Sequence, residues 1–225
     1  MLVELSLEVG MTSFQLITVD SNDKLGNMGS FSLPPFTTCP GASAFCKRKC
    51  YAKRGNFLFP TVKKSFARRL EWTEKPNFVA AVVAEIMVKE LDVVRVHVSG
   101  DFNSADYVRL WTEIAEKCPQ TTFGAYTRSW VVPEIERALS ELATRPNVEL
   151  FLSLDDTMEQ EPPSGWWYRR AYVKPTLERL PGVALCPNQV QAHRGRPRGE
   201  RVTCMECGIC YRPPGKVRDV VFAEH

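Results

Sequence analysis

Seven of the eight cysteines in this 225-residue chain fall into two groups. Cys39, Cys46 and Cys50 lie in the stretch TTCPGASAFCKRKCYA, spaced C-x6-C-x3-C, with Tyr51 directly after the third. Thiolates are soft, strong ligands for zinc, copper(I) or an iron–sulfur cluster. Three of them fall one short of closing a four-coordinate site, and an open position is what chemistry needs and structural support does not. The alternative is that these thiols are packed or paired in disulfides. The second group, Cys204, Cys207 and Cys210, reads CMECGIC, with 17 residues separating Cys204 from Cys186 upstream. The C-x2-C-x2-C run is the compact spacing that wraps an iron–sulfur cube, and a fourth thiolate from Cys186 closes the site. Zinc competes, because four-cysteine zinc sites also use C-x2-C pairs. Three sulfurs within seven residues are tighter than two separated zinc knuckles, which favours iron and sulfur. His193 is a possible substitute ligand, and Cys118, before Pro119, reads as packed or free.

The elements that position these groups follow from periodicity. Residues 2–8 and 14–19 read as short strands, and Ser30–Leu33 as another before Pro34-Pro35 stops regular structure. From Pro60, Val62, Phe66 and Leu70 recur every four residues; a second helix starts at Pro76 and runs to about Leu91. A repeating unit then begins. VVRVHV (93–98) is a strand, and Ser104 caps a helix carrying Val108, Trp111 and Ile114. TTFGAYT (121–127) is the next strand, and Pro133 opens a helix with Glu134 and Glu136 in its first turn. VELFLS (148–153) follows, then a short helix at 177–180 and a strand at 182–186. Strand starts near 93, 121, 148 and 182 give a βα period of roughly 30 residues. The expected fold is α/β, with parallel βα repeats forming an open sheet or a partial (β/α) barrel over residues 1–185. Residues 186–225 are expected to form a C-terminal cysteine segment packed on it.

Active groups in such sheets gather at the C-terminal ends of strands. Those ends are polar here: Ser99-Gly100-Asp101 after the first repeat strand, Arg128 after the second, Asp155-Asp156 after the third and Cys186 after the last. Alternation within VVRVHV puts Arg95 and His97 on one face, with Tyr126 a neighbour. His97, Tyr126 and Arg128 are therefore candidate catalytic residues.

Hydrophobic content of 44% and charged content of 24% are those of an ordinary globular protein. No apolar run approaches the ~20 residues of a membrane span. The start MLVELSLEVG lacks the basic region of a signal peptide, so a cytoplasmic setting with reduced thiols is expected. A net charge of +3 does not argue for nucleic acid by itself. The charge is uneven, however: Lys47, Arg48, Lys49, Lys53 and Arg54 surround the first cysteine loop, and Arg194, Arg196, Arg198 and Arg201 precede the last cluster. Either patch could meet phosphate or be a solvated basic face. The segment Trp166–Arg170 could stack on bases or cover the open side of the sheet.

TCPGASAFCKRKCYA, the preceding KLGNMGSFSLPP, the segment RVHVSGDF…FGAYTRS and the final ALCPNQ…CMECGICY together resemble the phage-encoded "gene product eighty-eight" family, roughly from Lys24 to Tyr211. That family brings no established activity. Architecturally, a three-cysteine loop ahead of βα units is similar to radical S-adenosylmethionine (SAM) enzymes. That resemblance implies a [4Fe-4S] cluster on Cys39, Cys46 and Cys50 whose open iron binds SAM. It also implies a turn at Ser99, Gly100 and Asp101 that holds the SAM amino group, and an auxiliary cluster on the C-terminal four cysteines. The chain departs from that pattern in its C-x6-C-x3-C spacing, its two helices before the next strand and its small number of βα units. Three function classes follow. The first is an enzyme using SAM on a small-molecule or nucleic-acid substrate, with an electron donor as partner. The second is an iron–sulfur electron-transfer or redox protein holding one or two clusters. The third is a zinc-stabilised nucleic-acid-binding module.

Overall fold

The computed structural model describes residues 15–19, 22–164, 168–212 and 219–224. Its seven strands are β1 (Gly29–Phe31), β2 (Val93–Val96), β3 (Thr122–Thr127), β4 (Val148–Asp155), β5 (Arg169–Lys174), β6 (Val183–Leu185) and β7 (Asp219–Ala223). They form one sheet in the order β1-β2-β3-β4-β5-β7-β6, and every neighbouring pair is parallel. The α/β reading thus stands as a parallel sheet flanked by helices. The last strand lies between β5 and β6, so a single sheet runs through both the βα repeats and the C-terminal segment.

Three of the helices, α3 (Phe78–Val88), α4 (Ala105–Lys117) and α5 (Pro133–Ala143), cover one face of the sheet. Their apolar stripes meet Val94, Val96, Phe123, Ala125, Leu150 and Leu152 in one continuous core. Ser104 caps α4 as its position predicts, its hydroxyl accepting from the Tyr107 N–H at 3.2 Å. Cys118 ends α4 buried in this core. Ahead of these come α1 (Ala44–Lys49) and α2 (Pro60–Thr73); after them come α6 (Pro187–His193) and α7 (Cys204–Cys207). The opposite face of the sheet carries Gly124, Tyr126, Glu149, Phe151 and Arg169, and the C-terminal cysteine segment packs there.

Several local expectations differ from what forms, and one lies where no residues are described. The strand expected at 2–8 lies outside the described residues, and of 14–19 only an antiparallel bridge from Thr18 to Ser30 is made. The helix expected from Pro76 begins at Phe78, because Pro76 and Asn77 complete a turn first. Residues 177–180 form no helix: Pro175 and Pro181 bracket the segment, and a following proline pushes its predecessor out of the helical region. The strand expected to reach Val98 stops at Val96, because His97 takes a left-handed φ of 62°.

That single dihedral breaks the alternation that would have placed Arg95 and His97 side by side. Arg95 stays on the open face, while His97 turns in among Phe31, Phe102 and Tyr107 on the helix side. Its Nε2 lies 3.0 Å from the Tyr107 hydroxyl. Burial, with Arg95 second, pushes the imidazole pKa down to about 3, so His97 is neutral at physiological pH. The unfolded chain binds a proton at His97 below its ordinary pKa, and the folded chain does not. Folding stability should therefore fall as pH drops from about 6.5 toward about 3, by up to about 1.4 kcal/mol per pH unit. In H97Q that contribution disappears, and denaturant titrations of the two proteins between pH 4 and 6.5 should show the slopes diverging.

Candidate metal centre

The first cysteine loop is seated across the C-terminal ends of three strands. Leu33 donates its N–H to the Ser99 carbonyl at 2.8 Å, which ties the entry of the loop to the turn after β2. Thr38 is fully buried, and its hydroxyl donates to the Pro34 carbonyl at 2.7 Å. Phe36, at a φ of 68°, bends the chain so that the Cys39 N–H reaches the Phe36 carbonyl. Gly41 lies directly on the backbone after β3: a Cβ there would fall 2.0 Å from the Arg128 carbonyl oxygen. Ser43 does two jobs. Its hydroxyl caps α1 by accepting from the Cys46 N–H at 3.0 Å, and donates to Asp155 Oδ2 at the end of β4 at 2.7 Å. Beyond Cys50, the Tyr51 hydroxyl donates to the Val98 carbonyl. Cys39, Cys46 and Cys50 are thus held over β2, β3 and β4, each half-buried and free of disulfides.

The turn Ser99-Gly100-Asp101 is the platform under this loop. Gly100 has a φ of 80°, and a Cβ there would meet Leu33 Cβ at 2.6 Å and Thr38 Oγ1 at 2.7 Å. Asp101 is buried, and both its oxygens are engaged. Oδ1 accepts from the Thr127 hydroxyl at 2.6 Å and the Phe102 N–H at 2.8 Å; Oδ2 accepts from the Arg128 N–H at 2.8 Å. Burial still raises its pKa. The turn that resemblance assigned to a cofactor amino group therefore also binds the loop to the sheet.

Electrostatics tie the three thiols together. Burial pushes the Cys39 thiol up to about 12, with Asp101 next and with Cys46 and Cys50 adding to the effect. Burial also raises Cys46, opposed by the charge of the Arg128 guanidinium. Arg128 is itself buried and paired to Asp155. Sequence placed Arg128 at the site from its strand-end position; its partner Asp155 stood at the next strand end, and the pairing needed the fold.

The C-terminal cysteines gather on the open face. Cys186 follows β6 and is buried, its N–H donating to the Val221 carbonyl at 3.1 Å. The Cys204 and Met205 N–H groups reach the Lys24 and Leu25 carbonyls at 2.7 and 3.2 Å. A Thr203–Glu206 capping box starts α7, and Gly208 at a φ of 65° ends it. Cys186 and Cys207 each lie within electrostatic reach of Cys204, and Cys210 lies within reach of Cys204 and Cys186. Burial pushes Cys210 up to about 11, opposed by the Tyr126 hydroxyl, and both side chains pack on the same apolar cluster. Tyr126, a candidate catalytic residue from sequence, thus sits with the second thiol set rather than the first. Its ring stacks on Phe151 at 4.7 Å between centroids. Arg169 anchors the segment: it pairs with Glu149 at 2.9 Å and donates to the Ile209 and Arg212 carbonyls at 2.9 and 3.3 Å. The aromatic-basic run at 166–170 gave no sign of that role; Trp166 and Trp167 lie outside the described residues. Among the described residues, no three His, Cys, Asp or Glu side chains are drawn together around the position of a single ion.

Fold and site define an α/β protein with two thiol sets, one over the strand ends of a parallel sheet and one on the face opposite α3, α4 and α5. The chain belongs to the Gene product 88 family, whose pattern matches residues 12–213. It is 27% identical to the Gene 88 protein of Mycobacterium phage L5, covering 95% of this chain and 94% of that protein. It is 25% identical to the Gene 88 protein of Mycobacterium phage D29, covering 89% of this chain and 90% of that one. No solved structure matches. No helix among the described residues is long and apolar enough to cross a membrane.

The close seat of Gly41 gives a test of the loop's position. In G41A the added methyl must lift the loop from the Arg128 backbone, costing about 1–3 kcal/mol. G199A, where a Cβ meets nothing within 4 Å, should leave denaturation midpoints unchanged. Urea titrations of both variants check this.

Proposed function

We propose that this protein carries two [4Fe-4S] clusters, one on Cys39, Cys46 and Cys50 and one on Cys186, Cys204, Cys207 and Cys210. The observation that supports the reading is that Cys39, Cys46 and Cys50 lie within electrostatic reach of one another, and that Cys204 lies within reach of Cys186, Cys207 and Cys210. Zinc needs all its sulfurs around one ion, whereas a cube gives each sulfur a different iron. The C-x2-C-x2-C spacing of Cys204, Cys207 and Cys210 suits the cube.

The three-cysteine set leaves one iron without a protein thiolate, and the enzyme reading places SAM there. Bound so, the cluster and SAM would supply radical chemistry, and the protein would supply orientation and exclusion of water. The partial-barrel, radical-SAM-like architecture belongs to this reading. Arg128 would hold Cys46 in place through its charge, which Asp155 balances. Asp101 would hold the strand ends that carry the loop. A host-cytoplasmic setting, where thiols stay reduced, and a small reductant protein as electron donor complete the proposal.

One observation favours a second reading, an iron–sulfur redox protein without SAM chemistry. Both oxygens of Asp101 are already taken by protein donors, which leaves it poorly placed to receive a cofactor amino group.

Protein purified without oxygen should be brown, with iron and acid-labile sulfide near about eight each per chain. C46S and C207S should each lose about half of both. Adding SAM to the reduced protein should perturb the cluster spectrum and yield 5′-deoxyadenosine. Intact clusters with neither effect would leave the redox reading. Colourless protein with stoichiometric zinc would overturn both, and salt-dependent binding to DNA or RNA would then be the property to measure.

A further inference from the structure

On the sheet face that carries the C-terminal thiols lies a cation with no carboxylate partner among the described residues. Arg95 projects there from β2 and is half-buried. Its Nη1 donates to the Tyr211 hydroxyl at 3.2 Å, its Nε reaches the His97 carbonyl at 3.4 Å, and its guanidinium lies 4.0 Å from the centre of the Tyr126 ring. Two other interior cations differ. Arg128 is paired with Asp155, and Arg169 with Glu149.

The surroundings of Arg95 lead to cysteine on both sides. Tyr211 directly follows Cys210, and its ring lies on Gly124, where a Cβ would fall 2.2 Å from Cε1. Tyr126 packs with Cys210 on one apolar cluster, and Cys204 is within electrostatic reach of Arg95. In the other direction, Tyr51 directly follows Cys50, bonds the Val98 carbonyl two residues beyond the end of β2, and interacts with Arg95 and with all three loop thiols. Tyrosine hydroxyls are neutral at physiological pH, so none of these partners supplies negative charge. A cation withdrawn from water without an anion is costly, and interiors hold such charges only when paired. Thiolates bound to a cluster supply that anion: four on a cube leave it with net negative charge, and so do three.

We propose that Arg95 is the shared counter-charge of the two clusters, holding the reduction potential of both above the value each would have alone. This rests on the iron–sulfur reading. Each cluster takes up one electron from an external reductant such as dithionite, and the added negative charge is what Arg95 stabilises.

The test is a dithionite titration followed by electron paramagnetic resonance, on native protein, R95Q and R95K, each with iron and sulfide measured. In R95Q both clusters should become harder to reduce. The reduction equilibrium should shift about tenfold, ~59 mV for one electron, at the four-cysteine cluster, and in the same direction at the loop cluster. R95K, which keeps the charge, should recover most of both shifts. An unmoved loop cluster, or an R95K shift as large as that of R95Q, would overturn the proposal. If R95Q assembles no clusters, the native protein decides. With both clusters reduced, their signals should broaden through spin–spin coupling, and two independent signals would overturn a shared neighbour. A native chain that takes up no iron defeats the iron–sulfur reading itself; a native chain with two clusters indifferent to Arg95 defeats this inference alone.

Discussion

One buried carboxylate joins the parts on which the loop depends. Asp101 stands in the turn after β2 and accepts hydrogen bonds from Thr127 and Arg128 at the end of β3. A buried charged acceptor keeps its place only when its lone pairs are filled, and here three donors fill them. Two strand ends are thereby locked in register. On that locked edge the cysteine loop lies at contact distance, with the Gly41 backbone on the Arg128 carbonyl and the Leu33 and Thr38 side chains on Gly100. Neither approach leaves room for a Cβ on the glycine, and this fixes the loop's position. The thiols inherit that precision.

The face opposite α3, α4 and α5 is organised by the opposite device, side chains reaching upward from the sheet. Arg169 spans from Glu149 to the carbonyls of Ile209 and Arg212, and so pulls the last cysteines onto the strands. A buried ion pair of this kind adds little net stability once desolvation is counted, but removing one member leaves a stranded charge. Its effect is to fix where the segment lies. Gly124 makes the floor on which Tyr211 rests, and Phe151 stacks beneath Tyr126. The two faces of the sheet are therefore unlike: a dry apolar core under helices on one side, and on the other a polar, aromatic and sulfur-rich layer.

These two devices meet through β2. Its outer residues Val94 and Val96 enter the helix core, Arg95 enters the other layer, and the turn after it carries the loop. The left-handed residue His97 is where these demands separate. It ends the strand, sends its own ring into the helix core and frees the following turn to face the cysteines. A histidine at a strand end thus does structural work here as a neutral, buried ring.

Much of this was legible in the residues alone. The helices over 60–73, 105–117 and 133–143 follow from apolar periodicity and their start signals, because those signals act within a few residues. The β-branched and aromatic runs at 93–96, 122–127 and 148–155 follow likewise, and their regular spacing by βα units led to a parallel sheet. The two cysteine groups were visible as spacing. What sequence could not decide was anything set by contacts across the chain. The insertion of β7 between β5 and β6 depends on which edge is free when the chain returns. The pairing of Arg128 with Asp155, of Arg169 with Glu149, and of Ser43 with Asp155 joins residues 20 to 112 positions apart. The face taken by His97 hung on one dihedral that local alternation does not encode. Sequence determined which residues could bind metal and which elements would carry them; packing between those elements decided which residues stand beside the thiols.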